Sequence, residues 1–255
     1  MPINRREFLN QTAAGMAAGL LAPSVLAQTP GPAKIKAIVF DAFPIFDPRP
    51  VFKLVEELFP EKGVELGNAW RTRQFEYAWL RSLSYNYADF WRVTEDALVF
   101  SAKMLKLDLD SEKRAQLMQA YLALRPWPEV AAGLTALKQS GFRLGFLSNF
   151  TPKMLAAAIE SSNLKGVFEH VISTDEARTY KPAPQAYQLA MDQFKLGRDE
   201  ILFVPFAGWD AAGAKWFGYQ TFWVNRLNAP VEELGGVPDA VGTNLTDLVH
   251  YLKVA

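Results

Sequence analysis

The carboxylate of Asp41 could act as a covalent nucleophile. It ends an apolar, β-branched run that is entered from lysines, Lys34-Ile35-Lys36-Ala37-Ile38-Val39-Phe40. Such a run predicts a buried parallel strand, and residues at the carboxyl ends of such strands face the ligand crevice. Asp41 is therefore placed where a nucleophile would sit. Alternatively, it only caps the next turn, because prolines follow at Pro44, Pro48 and Pro50.

Three further polar positions follow apolar runs or precede a turn later in the chain. They are the pair Ser148-Asn149, Lys181 ahead of Pro182, and Asp210. Each follows a different predicted element, and a parallel sheet brings the carboxyl ends of its strands together in one crevice. Each position is a weak signal by itself, but their order along the chain predicts one shared site.

An alternation of helix and strand patterns has to position these residues. After Pro126-Trp127-Pro128 the spacing of apolar residues predicts helices over 130–139, 153–161, 184–194 and 211–217. It predicts strands over 142–147, 167–172 and 201–204, and a last strand over 220–224. This alternation indicates an α/β fold with a doubly wound parallel-sheet (Rossmann-like) core.

The segment over 51–125 has a different pattern, which predicts helices almost throughout. Phe75, Trp79 and Leu83 recur at a spacing of four, as expected for one face of a helix. We therefore expect an α/β core from residues 34–50 and 126–255, with a helical cap inserted over 51–125. The two histidines have no ligand-like spacing and there is no cysteine, so we expect neither a metal site nor a cofactor. Net charge is zero and no basic stripe is present, which argues against nucleic-acid binding.

The amino terminus is typical of a targeting segment. Asn4-Arg5-Arg6-Glu7-Phe8-Leu9-Asn10 resembles the twin-arginine export motif, and a mildly apolar Ala/Gly-rich stretch follows it. A small residue at Ala27 predicts cleavage there, so residues 1–27 form the signal peptide and 28–33 a linker. An anchored helix is the alternative, but the stretch is short and is interrupted by Pro23. The expected partner is the twin-arginine export machinery, and the expected compartment is the periplasm.

The order of these residues resembles the haloacid dehalogenase superfamily, and most closely the type II 2-haloacid dehalogenases. The likeness runs from about Ile35 to Arg226. The stretches that carry it are Trp70-Arg71, Gln74-Phe75-Glu76-Tyr77-Ala78-Trp79-Leu80-Arg81, Leu147-Ser148-Asn149, Tyr180-Lys181-Pro182 followed by Tyr187, and Trp209-Asp210-Ala211-Ala212-Gly213-Ala214-Lys215. The resemblance implies the helical cap, no metal cofactor and a short haloacid as substrate. Relatives of this family are often dimers, and Trp79, Tyr85 and Trp91 of the cap, expected to be exposed, are compatible with a homodimer.

The resemblance also implies a role for each matching residue. Asp41 would displace halide and form an ester that water hydrolyses, and Lys181 would keep Asp41 ionised. Arg71 would stabilise the departing halide and the substrate region. Ser148 and Asn149 would bind the substrate carboxylate. The remaining implied contacts are Tyr187 and Asp210, which support the lysine and the hydrolytic step, and Phe43, Ile45, Phe90, Ala207 and Trp209, which lie at the nucleophile or the halogen pocket.

Two short stretches depart from the family pattern. Tyr-Gly-Thr-Leu after the nucleophile is here Phe43-Pro44-Ile45-Phe46, and Ser-Ser-Asn before the Trp-Asp pair is here Pro205-Phe206-Ala207. Loss of one polar contact at a reacting centre can reduce the rate by roughly 10² to 10³. The pocket then suits a more apolar substrate, or hydrolysis of the ester is weakened enough to leave a periplasmic binding or scaffold protein. A magnesium-dependent phosphatase is a third reading, but such enzymes carry an aspartate where this chain has Phe43.

Overall fold

The computed structural model of the protein describes residues 35–254. The predicted signal peptide, its cleavage position and the linker therefore lie outside the described residues. The structure begins two residues ahead of the strand that leads to Asp41.

Six parallel strands form the central sheet, which confirms the doubly wound α/β fold. Their order across the sheet is β5-β4-β1-β6-β7-β8. The strands are β1 (Ala37–Phe40), β4 (Arg143–Ser148), β5 (His170–Ser173), β6 (Ile201–Val204), β7 (Gln220–Val224) and β8 (Ala240–Gly242). Because β1 lies between β4 and β6, Asp41 emerges at the centre of the carboxyl edge, where the winding direction changes and ligands bind in open α/β sheets.

Helices cover both faces of this sheet. Successive side chains of a strand point to opposite faces, so each face has its own apolar cluster. In β1, Ile38 and Phe40 belong to one apolar cluster, whereas Ala37 and Val39 belong to the other. The helices of the core are α5 (Val130–Gln139), α6 (Pro152–Ser161), α7 (Pro184–Phe194), α8 (Gly208–Phe217) and α9 (Leu245–Tyr251). None of the helices within residues 35–254 is long and apolar enough to cross a membrane.

Two predicted starts were wrong by three residues, one strand was missed, and the bounds predicted over 142–147 and 153–161 differ by one residue. Strand β5 begins at His170 rather than at residue 167. Helix α8 begins at Gly208 rather than at Ala211, because its N-cap is Ala207 and no side chain marks the start. The strand over 220–224 is not the last, since β8 follows it at the sheet edge with partly exposed residues and no apolar run.

A run of four helices separates β1 from the rest of the core, and we call it the helical segment. It consists of α1 (Arg49–Leu58), α2 (Gly63–Leu83), α3 (Phe90–Met104) and α4 (Ser111–Ala120). The side chains of Asp89 and Asp110 cap α3 and α4, each accepting a hydrogen bond of 2.8 Å from a backbone N–H of the first turn. Strand β2 (Phe46–Asp47) pairs antiparallel with β3 (Arg125–Pro126), so the two ends of the segment meet beside the carboxyl end of β1.

Candidate active site

The ammonium of Lys181 lies between two carboxylates at the carboxyl edge of the sheet. Its Nζ is 2.8 Å from Oδ1 of Asp41 and 2.6 Å from Oδ2 of Asp210. Lys181 and Asp210 are buried, and the Asp41 side chain is 13% exposed. We call these three residues the charged wall. With two carboxylates and one ammonium it carries a net charge of −1 when all three groups are ionised.

Burial and mutual attraction set the ionisation of this wall. Burial alone would lower the pKa of Lys181, but the charges of Asp210 and Asp41 raise it above its usual 10.5. Burial raises the pKa of Asp210 to about 6, although Lys181 acts in the opposite direction. Lys181 is therefore a permanent cation near neutral pH, and Asp210 changes its charge within the range in which enzymes work.

Asp210 is held in place by the hydroxyl of Tyr187, whose backbone is bound in turn by Tyr219. Tyr187 donates a hydrogen bond of 2.7 Å to Oδ1 of Asp210, and Tyr219 donates one of 2.7 Å to the carbonyl of Tyr187. Burial beside Asp210 raises the pKa of Tyr187 well above its usual value, so its hydroxyl stays a donor. Both oxygens of Asp210 are thus engaged, one by an ammonium and one by a phenol.

A close approach of α8 to the lysine loop makes this contact geometrically feasible. At Gly213, one turn after Asp210, a Cβ would lie 2.6 Å from Cβ of Pro182 and 2.7 Å from the hydroxyl of Tyr187. Only a residue without a side chain allows the helix to lie this near. Asp210 reaches Lys181 because of that proximity.

Ser148 and Asn149 present hydrogen-bond donors beside the charged wall. The Oδ1 of Asn149 accepts bonds from the Lys181 N–H at 3.1 Å and the Thr174 hydroxyl at 3.2 Å, which fixes the orientation of the amide. The Ser148 Oγ accepts a bond of 3.2 Å from the Phe150 N–H. Within residues 35–254 neither the Asn149 Nδ2 nor the Ser148 hydroxyl hydrogen is used elsewhere, so both can bind an anion.

A cavity of about 510 Å³ lies next to the charged wall and extends to the helical segment. Arg71 of α2 lines it, with its guanidinium 5.9 Å from the ring centre of Phe52. Arg49 also lines it, but its guanidinium is held by Asp47 through both oxygens. Of these two arginines, Arg71 is therefore the one that can compensate the charge of an anionic ligand.

Aromatic side chains form a continuous line along the cavity, which we call the aromatic belt: Phe206, Phe43, Phe150, Phe90, Phe75, Trp209 and Trp79. Successive ring centres are 5.7, 5.3, 5.8, 6.4, 5.2 and 5.4 Å apart in that order. These spacings are within the usual range for packed aromatic pairs. The belt gives the cavity apolar walls beside the charged wall.

Most of the residues that the sequence suggested for the site line this one cavity. They are Asp41, Phe43, Arg71, Phe90, Ser148, Asn149, Lys181, Ala207, Trp209 and Asp210. Ile45 and Tyr187 do not line it. Ile45 is fully buried in the apolar core, and Tyr187 lies behind Asp210. The departure at position 45 therefore changes core packing, whereas Phe206 and Ala207 change the cavity itself.

Trp79 contributes a contact that the sequence pattern did not reveal. Its indole Nε1 donates a hydrogen bond of 3.2 Å to the carbonyl of Lys181, and its ring packs against Trp209. The expectation that Trp79 and Trp91 are exposed was wrong, because both are half-buried; Tyr85 is 97% exposed. The spacing of four along α2 identified a helix face, but not the core loop that this face contacts.

Groups of three or more histidine, cysteine, aspartate or glutamate side chains arranged to hold a metal ion are absent from residues 35–254. The charged wall instead combines carboxylates with an ammonium. Its chemistry is that of an ionised carboxylate aimed into an apolar cavity.

Comparison with known proteins gives consistent results for most of the chain. A family model described as haloacid dehalogenase-like hydrolase matches residues 35–218. An (S)-2-haloacid dehalogenase of Pseudomonas sp. (strain YL) is 41% identical over 222 residues, which are 87% of this chain and 96% of that protein. The crystal structure of an L-2-haloacid dehalogenase has a TM-score of 0.85 at 43% identity, covering 86% of this chain and 99% of the other.

A second solved structure bears on the chemistry. It is the L-2-haloacid dehalogenase of Xanthobacter autotrophicus with chloropropionic acid covalently bound. It has a TM-score of 0.79 at 35% identity and covers 86% of this chain and 98% of that one.

Proposed function

The chain belongs to the haloacid dehalogenase-like hydrolase family, and on that premise we propose that it hydrolyses the carbon–halogen bond of (S)-2-haloalkanoic acids. One observation carries the proposal. Lys181 holds one oxygen of Asp41 at 2.8 Å at the edge of an apolar cavity that Arg71 also lines. A carboxylate so placed can displace halide from an anionic substrate.

The first step is an attack by the Asp41 carboxylate on the carbon that carries the halogen. Oδ1 is bound to Lys181, whereas Oδ2 has only a long contact of 3.4 Å from the Phe43 N–H and is the oxygen left for attack. The oxygen–carbon bond forms, the carbon–halogen bond breaks, and the halide leaves with the bonding electron pair. The product is an ester of Asp41, so one difficult displacement is replaced by two easier steps.

Water then attacks the carbonyl carbon of the Asp41 ester. The ester oxygen leaves with the substrate as a 2-hydroxy acid, and the carboxylate of Asp41 is restored. Asp210 takes up the proton of the water, since its pKa of about 6 suits a base near neutral pH. While Asp41 is esterified, one of the negative charges that raise the pKa of Asp210 is absent, so this pKa is lower in the ester and Asp210 is ionised when it accepts the proton.

Substrate binding has to overcome the negative charge of the site. The carboxylate of the haloacid meets the hydroxyl of Ser148 and the amide of Asn149, both left as donors by their other contacts. The guanidinium of Arg71 offsets the charge of the substrate and the charge that develops on the halide. Arg71 lies on the helical segment, so the segment completes the site rather than only covering it.

A binding or scaffold protein is the less favoured function. Its support was the loss of polar side chains at 45, 205 and 207, but position 45 lies in the core rather than at the cavity. The charged wall is fully assembled, and proteins 35–41% identical over most of this chain are named (S)-2-haloacid dehalogenases.

Halide release tests the proposal directly. The mature protein should release halide from bromoacetate, fluoroacetate or (S)-2-chloropropionate, and Asp41→Asn should reduce the turnover number by at least about 10³-fold. The matched control is Asp192→Asn, an exposed aspartate of α7 outside the cavity, which should leave turnover unchanged. Release that persists in Asp41→Asn would refute the covalent step. One halide per protein without turnover would indicate an ester that water does not reach.

We also propose that residues 1–27 direct the folded protein to the periplasm by the twin-arginine route. The support is the Arg5-Arg6 pair followed by an Ala/Gly-rich apolar stretch. Fractionation of cells that express the full chain should place the mature protein in the periplasm. Arg5→Lys/Arg6→Lys should retain it in the cytoplasm, and equal export of both chains would contradict the proposal.

A homodimer is the oligomeric state that we propose. Leu80, Leu83 and Tyr85, at the end of α2, are 59%, 79% and 97% exposed, which is unusual for three large apolar side chains so close in sequence. Sedimentation should give the mass of a dimer, and Leu83→Lys should shift the population to monomer. A monomeric wild-type protein at micromolar concentration would refute this assembly.

A further inference from the structure

The cavity beside Asp41 is much larger than a short haloacid requires. Its volume is about 510 Å³. Cavities that bind drug-sized ligands have volumes of about 300–1,000 Å³. A two- or three-carbon acid would leave most of this space, and most of the aromatic belt, without contact.

The chemistry of the walls indicates what the rest of the cavity can hold. Near Asp41 the belt begins with Phe43 and Phe206, and Ala207 lies beside them. None of these side chains can donate or accept a hydrogen bond. A polar group placed there would lose its bonds to water without replacement, whereas an apolar group would gain from burial.

The charged residues of the cavity exclude a second anionic group on the substrate. Glu76 and Glu232 also line the cavity, and Arg49 is already neutralised by Asp47. Arg71, Ser148 and Asn149 suffice for one carboxylate. A second carboxylate would therefore meet no free cation of this set, and beside Phe43, Phe206 and Ala207 an apolar group fits best.

We propose that the preferred substrate is a 2-haloacid whose α-carbon carries a large apolar group, such as a benzyl group. This inference rests on the proposed function and names its substrate class. The carboxylate binds at Arg71, Ser148 and Asn149, the reacting carbon faces Oδ2 of Asp41, and the ring packs edge-to-face within the aromatic belt.

A matched series of bromoacids tests this inference. The compounds are 2-bromopropanoate, 2-bromohexanoate and 2-bromo-3-phenylpropanoate, all with a secondary, non-benzylic reacting carbon, so that intrinsic reactivity varies little. Burial of a phenyl group should raise kcat/KM for 2-bromo-3-phenylpropanoate about 10- to 100-fold over 2-bromopropanoate, with 2-bromohexanoate between them. Bromoacetate serves as the check that the enzyme turns over.

A pair of variants tests whether the aromatic belt causes the preference for the phenyl compound. Phe206→Ser should reduce the preference for the phenyl compound about tenfold, and the change for 2-bromopropanoate should be smaller. Trp216→Ser removes an exposed aromatic ring of α8, the helix that follows Phe206, outside the cavity and should leave the preference unchanged. A loss of preference in Trp216→Ser equal to that in Phe206→Ser would overturn the assignment to the belt.

Two failures can be told apart. Release of bromide from all four acids, with 2-bromopropanoate equal to or better than the phenyl compound, would overturn this inference and leave the proposed function intact. Absence of release from every acid would overturn the proposed function. In that case calorimetry can still compare the affinities of the protein for 3-phenylpropanoate and for propanoate. Equal affinities would overturn the substrate class as well.

Discussion

The charged wall and the aromatic belt line one cavity, but they differ in chemistry and in part of their origin in the fold. The wall stands on loops and a helix start at the carboxyl edge of the sheet, where β1, β4 and β6 fix the backbone from both sides. The helical segment supplies three of the seven belt residues, Phe75, Trp79 and Phe90, and loops and the first turn of α8 supply the others. Ion pairs join the residues of the wall, whereas contacts between rings join those of the belt.

This difference separates two kinds of consequence. Changes in the charged wall should affect both the rate of the chemical step and the stability of the fold, because each group there is buried and paired. Changes in the belt should mainly affect which acid is preferred. The following predictions test that separation.

The largest effect is expected for Lys181→Met. Removal of the ammonium leaves two buried carboxylates next to each other, which should lower the free energy of unfolding by about 3–5 kcal/mol. Turnover should fall about 10²- to 10³-fold, since Asp41 is no longer held in position by the ammonium. Urea unfolding and halide release measure the two effects.

The double variant Lys181→Met/Asp210→Asn is the control for this prediction. It removes one of the two unpaired carboxylates, so part of the lost stability should return while turnover stays low. Strictly additive losses of stability would show that the wall is not one coupled unit.

Gly213→Ala tests the close approach that lets Asp210 reach Lys181. The new Cβ must displace Pro182 or Tyr187, which should lower the free energy of unfolding by about 1–3 kcal/mol and reduce kcat about tenfold. Gly67→Ala in the interior of α2 is the comparison for stability, because its Cβ approaches only a ring carbon of Phe52, at 3.2 Å. Unchanged kcat in Gly213→Ala would mean that the helix position does not matter for the reaction.

Trp79→Phe tests the side-chain hydrogen bond from the belt to the charged wall. The aromatic ring is kept, but the bond to the Lys181 carbonyl is lost, so kcat should fall about fivefold. Trp91→Phe is the matched control, a half-buried tryptophan of α3 outside the cavity, and should leave kcat unchanged. Equal effects of the two variants would contradict a positioning role for Trp79.

The smallest effect concerns the acid side of the pH profile. Activity should fall as the pH drops through about 6, because Asp210 then takes a proton and no longer pairs with Lys181 as an anion. Tyr187→Phe removes a donor that stabilises the charged carboxylate, so the pKa of Asp210 rises and the midpoint moves to higher pH by less than about one unit. Tyr219→Phe keeps that donor and should leave the midpoint in place. A shift of this midpoint to lower pH in Tyr187→Phe would contradict the prediction.

Much of the fold followed from local pattern. The helices over 130–139 and 184–194 and the strands over 201–204 and 220–224 occur at the predicted bounds. These elements have apolar periodicity or a continuous buried run, and marked ends. Strand β8 and the start of α8 were missed because an edge strand needs no apolar run and because α8 begins without a capping side chain.

Local sequence patterns predicted less of the active site than of the fold. Polar residues at strand ends pointed to Asp41, Ser148, Lys181 and Asp210, since parallel strands end together. The contact of Trp79 with the Lys181 carbonyl joins positions 102 residues apart, and no spacing within α2 indicates it. The sequence also gives no sign that Gly213 lies close to Pro182 and Tyr187.

The sequence by itself determined the family through its resemblance in motifs, and it determined most of the order of elements and the candidate reactive side chains, because the latter depend on residue type and short-range periodicity. Only the tertiary structure decided that Ile45 faces the core, that Phe206 and Ala207 face the cavity, and that both oxygens of Asp210 are engaged. Those outcomes depend on which distant backbone segments approach one another. Packing across the sheet edge sets that approach, and no single stretch of sequence contains it.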